Sequence, residues 1–428
     1  MMICFVLVLQ TDWLLDLCSA DIAAQRRAML RVSSSEDLAY VPSLIELMLF
    51  CPDSQDAIGS LVSNLTGESR GDYLDWVAYL GANPSIVANA GYLRLRYQLF
   101  SSIDSRLAAF FSKPQPTTIR LEEIVWGGVV KDGIPALIDP KHVTALEATY
   151  LEADEWVFGL AWQGEAKAYP LRIMDWHEMA NDTLGSRRFA LAYCTLCGSA
   201  IAYSSRAGGR LWTFGSSGLL YRSNKLMYDH QTNTLWHQFS GEPVFGPLVD
   251  DGLKLDVLPV ERTTWEDWRS RYPNTQVLSL DTGYERNYEP GAAYGAYFSS
   301  PKLMFPVWNA GDNKGQKDWV WMLRKPGAQK AYSLNFLVKN PVFVDHVGQS
   351  DVLLLTDPDN YSVRVYELTG NVVTRKDGSW WLESEKGSAA LDMDFPKDVS
   401  GSMLQRVPGH FAYEFARRAF MPEIPYQP

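Results

Sequence analysis

The chain of 428 residues is short of most features that would place it at once. It has no run of Lys and Arg, and its 39 basic residues against 50 acidic ones leave a net charge of −11. Without a basic stripe it offers no footprint for a phosphate backbone, so no nucleic-acid partner is expected and a small molecule or a protein is. It has few cysteines: Cys4, Cys18, Cys51, Cys194 and Cys197 are too few and too unevenly spread for a disulfide framework. It has no apolar run of membrane length. The stretch from Met1 to Leu9 lacks a basic flank before it and is interrupted by Asp12 and Asp16, so neither an export signal nor a firm membrane span is well formed. As written the chain reads as cytoplasmic. A truncated export signal would leave the same scar, and Leu-Cys-Ser-Ala around Cys18 faintly echoes a lipoprotein site, so an exported location stays open. Histidine is scarce too, at six.

What is present describes a folded protein of two to three domains, with 46% hydrophobic and 21% charged residues. The 15 Trp and 21 Tyr suit core and cross-strand positions. From Ser19 to Ser112 apolar residues recur at helical spacing, as in VPSLIELMLF and GYLRLRYQLFSSIDSRLAAFF, like short HEAT-type hairpins without a clean repeat. KPQPTTI reads as a linker. Beyond it, short alternating segments such as EWVFGLAW, AKAYPLRI, RFALAYC, AIAYSS and TLWHQF predict antiparallel strands, and Asn181-Asp182 reads as a turn. The expected class is α+β: a poorly defined apolar segment (1–18), a helical domain (19–115), a β-rich copy (116–305) and a second β-rich copy ending in a helix (306–428).

The two copies are read from an ungapped match of EWVFGLAWQGEAKAYPLRIM with DWVWMLRKPGAQKAYSLNFL, at an offset of 318 − 155 = 163. It pairs Trp156 with Trp319, Lys167 with Lys330, Tyr169 with Tyr332 and Asp182 with Asp345. The duplication acts as an internal control, because a residue needed only for the fold should recur while one needed for chemistry can survive once. Cys194 falls on Asp357, Cys197 on Asn360 and His177 on Asn340, so all three candidate ligands are absent from the second copy.

Cys194-Thr195-Leu196-Cys197-Gly198 lies between two predicted strands, as in a metal knuckle whose tight turn aims both sulfurs at one point. Two thiolates need further ligands. His177 is the first candidate, His237 the next, with His230 at a turn and His410 reaching over from the C-terminal helix. A site of two thiolates, one imidazole and an exchangeable position suits a divalent metal, zinc above all, with copper and iron also compatible. Glu178 is a candidate general acid/base, although an exposed helix carboxylate is the plainer reading, and Tyr193 would act beside it. The run TFGSSGLLYRSNKLMYD has glycines and hydroxyls but no phosphate-loop pattern.

These residues carry a family likeness. The segments IRLEEIVWGGVVKDGIPALIDPKHV, KAYPLRIMDWHEMANDTLG, AYCTLCGSAIAY, LWTFGSSGLLYRSNKLMYDHQTNTLWHQFSGE and VERTTWEDWRSRYPNTQVLS closely resemble the bacterial and archaeal domain of unknown function family 3179, over roughly residues 119 to 420. The resemblance implies no settled activity, and it makes the His177, Cys194 and Cys197 region the family's hallmark. Thr195 departs from the proline that the family usually carries there. Three readings follow: a metal-binding protein, in its sharper form a metal-dependent enzyme; a thiol–disulfide redox protein cycling Cys194 and Cys197; and a non-catalytic interaction scaffold with a structural knuckle.

Overall fold

The computed structural model describes residues 12–308 and 315–428. The apolar segment from Met1 to Leu9, and Cys4 within it, lie outside the described residues. Among the described residues no helix is long and apolar enough to cross a membrane.

Helices come first, the longer ones among the described residues being α1 (Ile22–Ser33), α2 (Val41–Phe50), α3 (Gln55–Thr66), α4 (Tyr73–Ala82) and α5 (Tyr92–Ser101). Their ends are written locally. The Asp21 carboxylate caps α1 on the Ala23 N–H, Asp72 and Asp75 form a reciprocal capping box on α4, and α3 stops where Gly67 takes φ 73°. Cys18 is disulfide-bonded to Cys51, so the helical region carries one disulfide rather than a framework, and the sulfur that echoed a lipoprotein site is committed. Arg96, fully buried on α5, pairs with Glu46 and donates to the carbonyls of Leu121 and Ile124, which ties the helices to the β-rich region.

After short strands at Ile124–Trp126, Leu137–Ile138 and His142–Thr144, that region continues with β1 (Trp156–Trp162) and β2 (Glu165–Pro170), the helix α6 (Leu171–His177), and an antiparallel meander of β3 (Met179–Leu184), β4 (Arg187–Cys194) and β5 (Ser199–Ser204). The segment AKAYPLRI is therefore not one strand. Pro170, at the helix N-cap, ends the strand and the residues after it coil. A second sheet contains β6 (Phe214–Tyr221), β7 (Asn224–Asp229) and β8 (Leu235–His237). Next, β9 (Glu261–Thr264) returns to pair with β1, α7 (Trp265–Arg271) follows, and β10 (Gln276–Leu278) adds in parallel beside β2.

The same order then recurs: β11 (Trp319–Lys325), β12 (Ala328–Ser333), α8 (Leu334–Lys339), β13 (Val342–Val347), β14 (Ser350–Thr356) and β15 (Val363–Glu367). From 156 and 319 to 187 and 350, the starts of the first five elements lie 163 apart. The unit closes with β16 (Gly409–Tyr413) on β11, α9 (Glu414–Phe420), and β17 (Tyr426–Gln427) parallel to β12. Val277 stands opposite Ala168 and Tyr426 opposite Ala331, so here the spacing is 426 − 277 = 149.

One polar cluster is common to both units. Asp182 accepts from the Lys167 ammonium at 2.9 Å and the Tyr169 hydroxyl at 2.5 Å, while Asp345 accepts from Lys330 at 2.6 Å and Tyr332 at 2.8 Å. Asn181-Asp182 is thus strand rather than turn. The Asn181 amide exchanges two hydrogen bonds with the Phe214 backbone, and both side chains find partners that a loop would leave to water.

Candidate functional site

The site forms where two hairpins meet end to end. On one sheet, β4 and β5 close through the pair Cys194–Ser199, and the turn between them is held by the Cys197 N–H on the Cys194 carbonyl at 3.2 Å. The predicted placement of Cys-x-x-Cys-Gly between strands is what the chain adopts. Gly198 has φ 61° and lies so near the Trp319 ring that a Cβ would stand 2.7 Å from it, so neither its conformation nor the space admits a side chain. The Cys197 carbonyl accepts from the Tyr413 N–H at 2.8 Å, which seats this turn on the second unit.

On the other sheet, β6 and β7 are joined by Arg222 and Ser223, both at positive φ (48° and 65°). Two consecutive non-glycine residues in this region are strained, and the turn they make points its polar groups at the sulfurs. The Ser223 carbonyl lies 3.4 Å from Cys197 Sγ and 3.9 Å from Cys194 Sγ. The Asn224 amide donates to Cys197 Sγ at 3.3 Å and to the Gln238 side-chain carbonyl at 2.8 Å. Both thiols are free and buried.

A third strained residue completes the cluster. Glu178, at the C-terminal end of α6, has φ 53°. It is not the exposed helix carboxylate the sequence suggested but a buried one. Its Oε2 pairs with the Lys225 ammonium at 3.1 Å, and its Oε1 accepts from the Thr195 hydroxyl at 2.9 Å and the Tyr294 hydroxyl at 3.4 Å. Thr195 thus gains from its departure from proline a donor to this carboxylate. Glu178, Cys194, Lys225, Tyr294, Gly218 and Phe305 line a cavity of about 50 Å³.

The two sulfurs are electrostatically unequal. Burial pushes the Cys194 thiol up, but the hydrogen bond from Cys197 and the N–H groups of Lys225 and Cys197 outweigh it and hold Cys194 below the ordinary thiol range. Burial, its role as donor to Cys194, and the charge of Cys194 all push Cys197 well above that range. The arrangement favours negative charge on Cys194 over Cys197 and the proton on Cys197.

The other expected site residues lie elsewhere. His177 has both ring nitrogens engaged, Nδ1 with the Pro135 carbonyl at 2.8 Å and Nε2 with the Tyr288 hydroxyl at 2.6 Å. His237 packs among Tyr221, Phe239 and Phe420, and burial pushes its pKa down to about 3, which keeps the ring neutral. His410 is in β16, not in the C-terminal helix, and is buried edge-on to Phe239. His230 stacks on Tyr228. Tyr193 precedes Cys194 on one strand and so projects to the opposite face, against Phe158 at a ring distance of 5.0 Å, in a different core cluster. Its neighbour there is Asp175, whose carboxyl is pushed up to about 8 by burial and by the charge of Glu178. Among the described residues no group of three or more His, Cys, Asp or Glu side chains could hold a metal ion.

Sequence reasoning missed Thr195, Asn224, Lys225, Gln238 and Tyr294. The available signal was YRSNK, two polar residues between two alternating strands, which marks a tight hairpin tip.

No curated protein and no solved structure matches the chain. The profile of a family described as protein of unknown function, DUF3179, matches residues 131–424. With well over half of its length inside that match and the hairpin thiols within it, the chain belongs to the DUF3179 family.

Proposed function

We propose that the protein is a thiol–disulfide redox protein in which Cys194 attacks and Cys197 resolves. The observation that carries this reading is the geometry of the pair: two free, buried thiols at the ends of one closed β-turn, both facing the Ser223 carbonyl. Residues i and i+3 of such a turn have Cα atoms under about 7 Å apart, which overlaps the 4.4–6.8 Å span of a disulfide. Unlike a metal, a disulfide needs no third ligand, and of the four histidines offered by the sequence His177 is hydrogen-bonded elsewhere while His237, His230 and His410 pack against other rings.

In the reaction, the Cys194 thiolate attacks one sulfur of a small disulfide, R–S–S–R, and one R–S⁻ leaves. Cys197 then gives up its proton, which goes to the departing thiolate, and its sulfur attacks that of Cys194. The second R–S⁻ leaves and takes a proton from solvent. Two electrons have passed from the dithiol to the substrate, and the protein holds a Cys194–Cys197 disulfide. The Asn224 amide and the Lys225 N–H stabilise negative charge on sulfur throughout, and the Lys225–Glu178 pair keeps a polar wall on the cavity side. The Cys18–Cys51 disulfide favours an oxidising compartment, where such exchange is sustained.

The test is differential alkylation with mass spectrometry across a series of dithiothreitol redox buffers. The expected result is one reversible disulfide between Cys194 and Cys197, lost in Cys194→Ser, with Cys18–Cys51 unchanged. A pair that stays dithiol at every potential, or stoichiometric zinc in purified protein that shields both thiols from alkylation, overturns the reading.

A further inference from the structure

A second, larger cavity lies where the two β-rich units meet and shares no lining residue with the one at Cys194. Its volume is about 850 Å³, which is in the range of small-molecule sites. The wall is apolar and aromatic, formed by Leu258, Trp268, Tyr272, Phe395 and Leu404. The rings run in a row from one unit to the other: Trp268 and Tyr272 have centroids 4.3 Å apart, and Tyr272 meets Phe395 edge-on at 5.6 Å. Such a row suits a flat ring.

Charge on this wall is unevenly distributed. The acids Glu165 and Asp256 are exposed side chains, and the buried acid, Glu261, is already held by Arg271 through contacts of 2.5 Å and 3.2 Å. Arg406 reaches Glu261 only at 3.6 Å, its sole ion pair among the described residues, and its Nε is buried without a partner. Arg324 is buried on the same wall; it donates to the Phe239 carbonyl at 2.8 Å and makes no ion pair among the described residues. Its backbone N–H donates to the Pro408 carbonyl at 2.8 Å, two residues along from Arg406. A guanidinium whose only carboxylate stands 3.6 Å away and whose Nε has no acceptor favours a further anion beside an apolar wall, and a planar carboxylate matches the fork of an arginine.

We infer that this groove binds an aromatic carboxylate, with its ring against Tyr272 and Phe395 and its carboxylate on Arg406. The test is calorimetric titration of the full chain with 2-naphthoate and with its uncharged amide, 2-naphthamide. Naphthoate is expected to bind at one equivalent, about tenfold tighter than the amide, as one charge-assisted hydrogen bond requires. Arg406→Gln should bring the acid down to the affinity of the amide. Met403, an exposed residue of the wall, provides a variant that leaves the buried charges alone, and Met403→Trp should obstruct both ligands. Equal affinity of acid and amide, no binding of either, or binding of the acid unchanged in both variants overturns the proposal.

Discussion

The turn at Cys194–Cys197 and the turn at Asp357–Asn360 occupy the same place in their two units and are closed by different chemistry. In the second unit Asp357 accepts from the Asn360 amide and the Asp359 N–H, both at 2.8 Å, so the turn is held by its own side chains and needs no neighbour. In the first unit the corresponding residues are thiols, and their partners come from another sheet, at Ser223, Asn224 and Lys225. The fold therefore has a simpler way to make this turn and uses it once. Strain divides differently at the two positions: Glu178 sits at φ 53° where its counterpart is Pro341, whose ring forbids a positive φ, whereas inside the turn the second unit holds Tyr361 at φ 55° where the first has Gly198.

The Asp–Lys–Tyr cluster provides the opposite case, because both units keep it. It should behave as architecture, and breaking it gives the largest effect expected. Asp182→Ala takes a buried carboxylate from the fully buried Tyr169 hydroxyl and the half-buried Lys167 ammonium and should cost about 3 kcal/mol in urea unfolding. Asp345→Ala, where the carboxylate itself is 16% exposed against 6% for Asp182 and water can replace it, should cost about 1–2 kcal/mol. Neither should change the redox potential of the thiol pair in whatever fraction remains folded. A potential shifted by Asp345→Ala would mean that the second unit takes part in the chemistry.

The next effect is one of pH. Asp175 holds its proton up to about 8 in the folded chain, through burial and the charge of Glu178, whereas an unfolded aspartate releases it near 4. Between those values the folded state binds the extra proton, so this group's stabilisation is full below about pH 4 and is lost as the pH rises through 8. The slope is up to about 1.4 kcal/mol per pH unit. The second unit has Val338 in the matching position of its corresponding helix, so it has no such group. Urea unfolding at pH 5, 6 and 7 should show this decline in the native chain and a flatter profile in Asp175→Asn. Equal slopes would mean that Asp175 is ionised in the fold.

Much of this contrast was legible in the sequence. The alternation of EWVFGLAW, the offset of 163 and the loss of both cysteines from the second unit place the hairpin and single out its thiols. The correspondence of β9 through β10 with β16 through β17 was not, since Trp265 and Trp268 face Glu414 and Arg417 at the shifted spacing of 149 and the shared register lives in backbone pairing. The partners of the sulfurs were hidden for a related reason. Asn224 and Lys225 follow Cys197 by 27 and 28 positions on a different sheet, and no local pattern encodes which hairpin tip will meet which. His177 misled because a histidine beside a strained glutamate looks the same in sequence whether it ligates a metal or hydrogen-bonds a carbonyl.

The smallest effect tests the finest difference between the turns. Thr195 stands where the second unit has Pro358, and its hydroxyl donates to Glu178 at 2.9 Å. Thr195→Val keeps the shape and removes the donor, which should cost about 1 kcal/mol because Lys225 still pairs with the carboxylate. If the hydroxyl serves only to hold the fold, the alkylation rate of Cys194 will not move. If it tunes the site, Glu178 loses one of the groups that spread its charge, the repulsion on the nearby Cys194 thiolate grows, and the pH at which Cys194 becomes reactive should rise. A fall in that pH would show that Glu178 does not act on Cys194 through its charge, and would leave the strained backbone at Glu178 as the feature that distinguishes this turn from its twin.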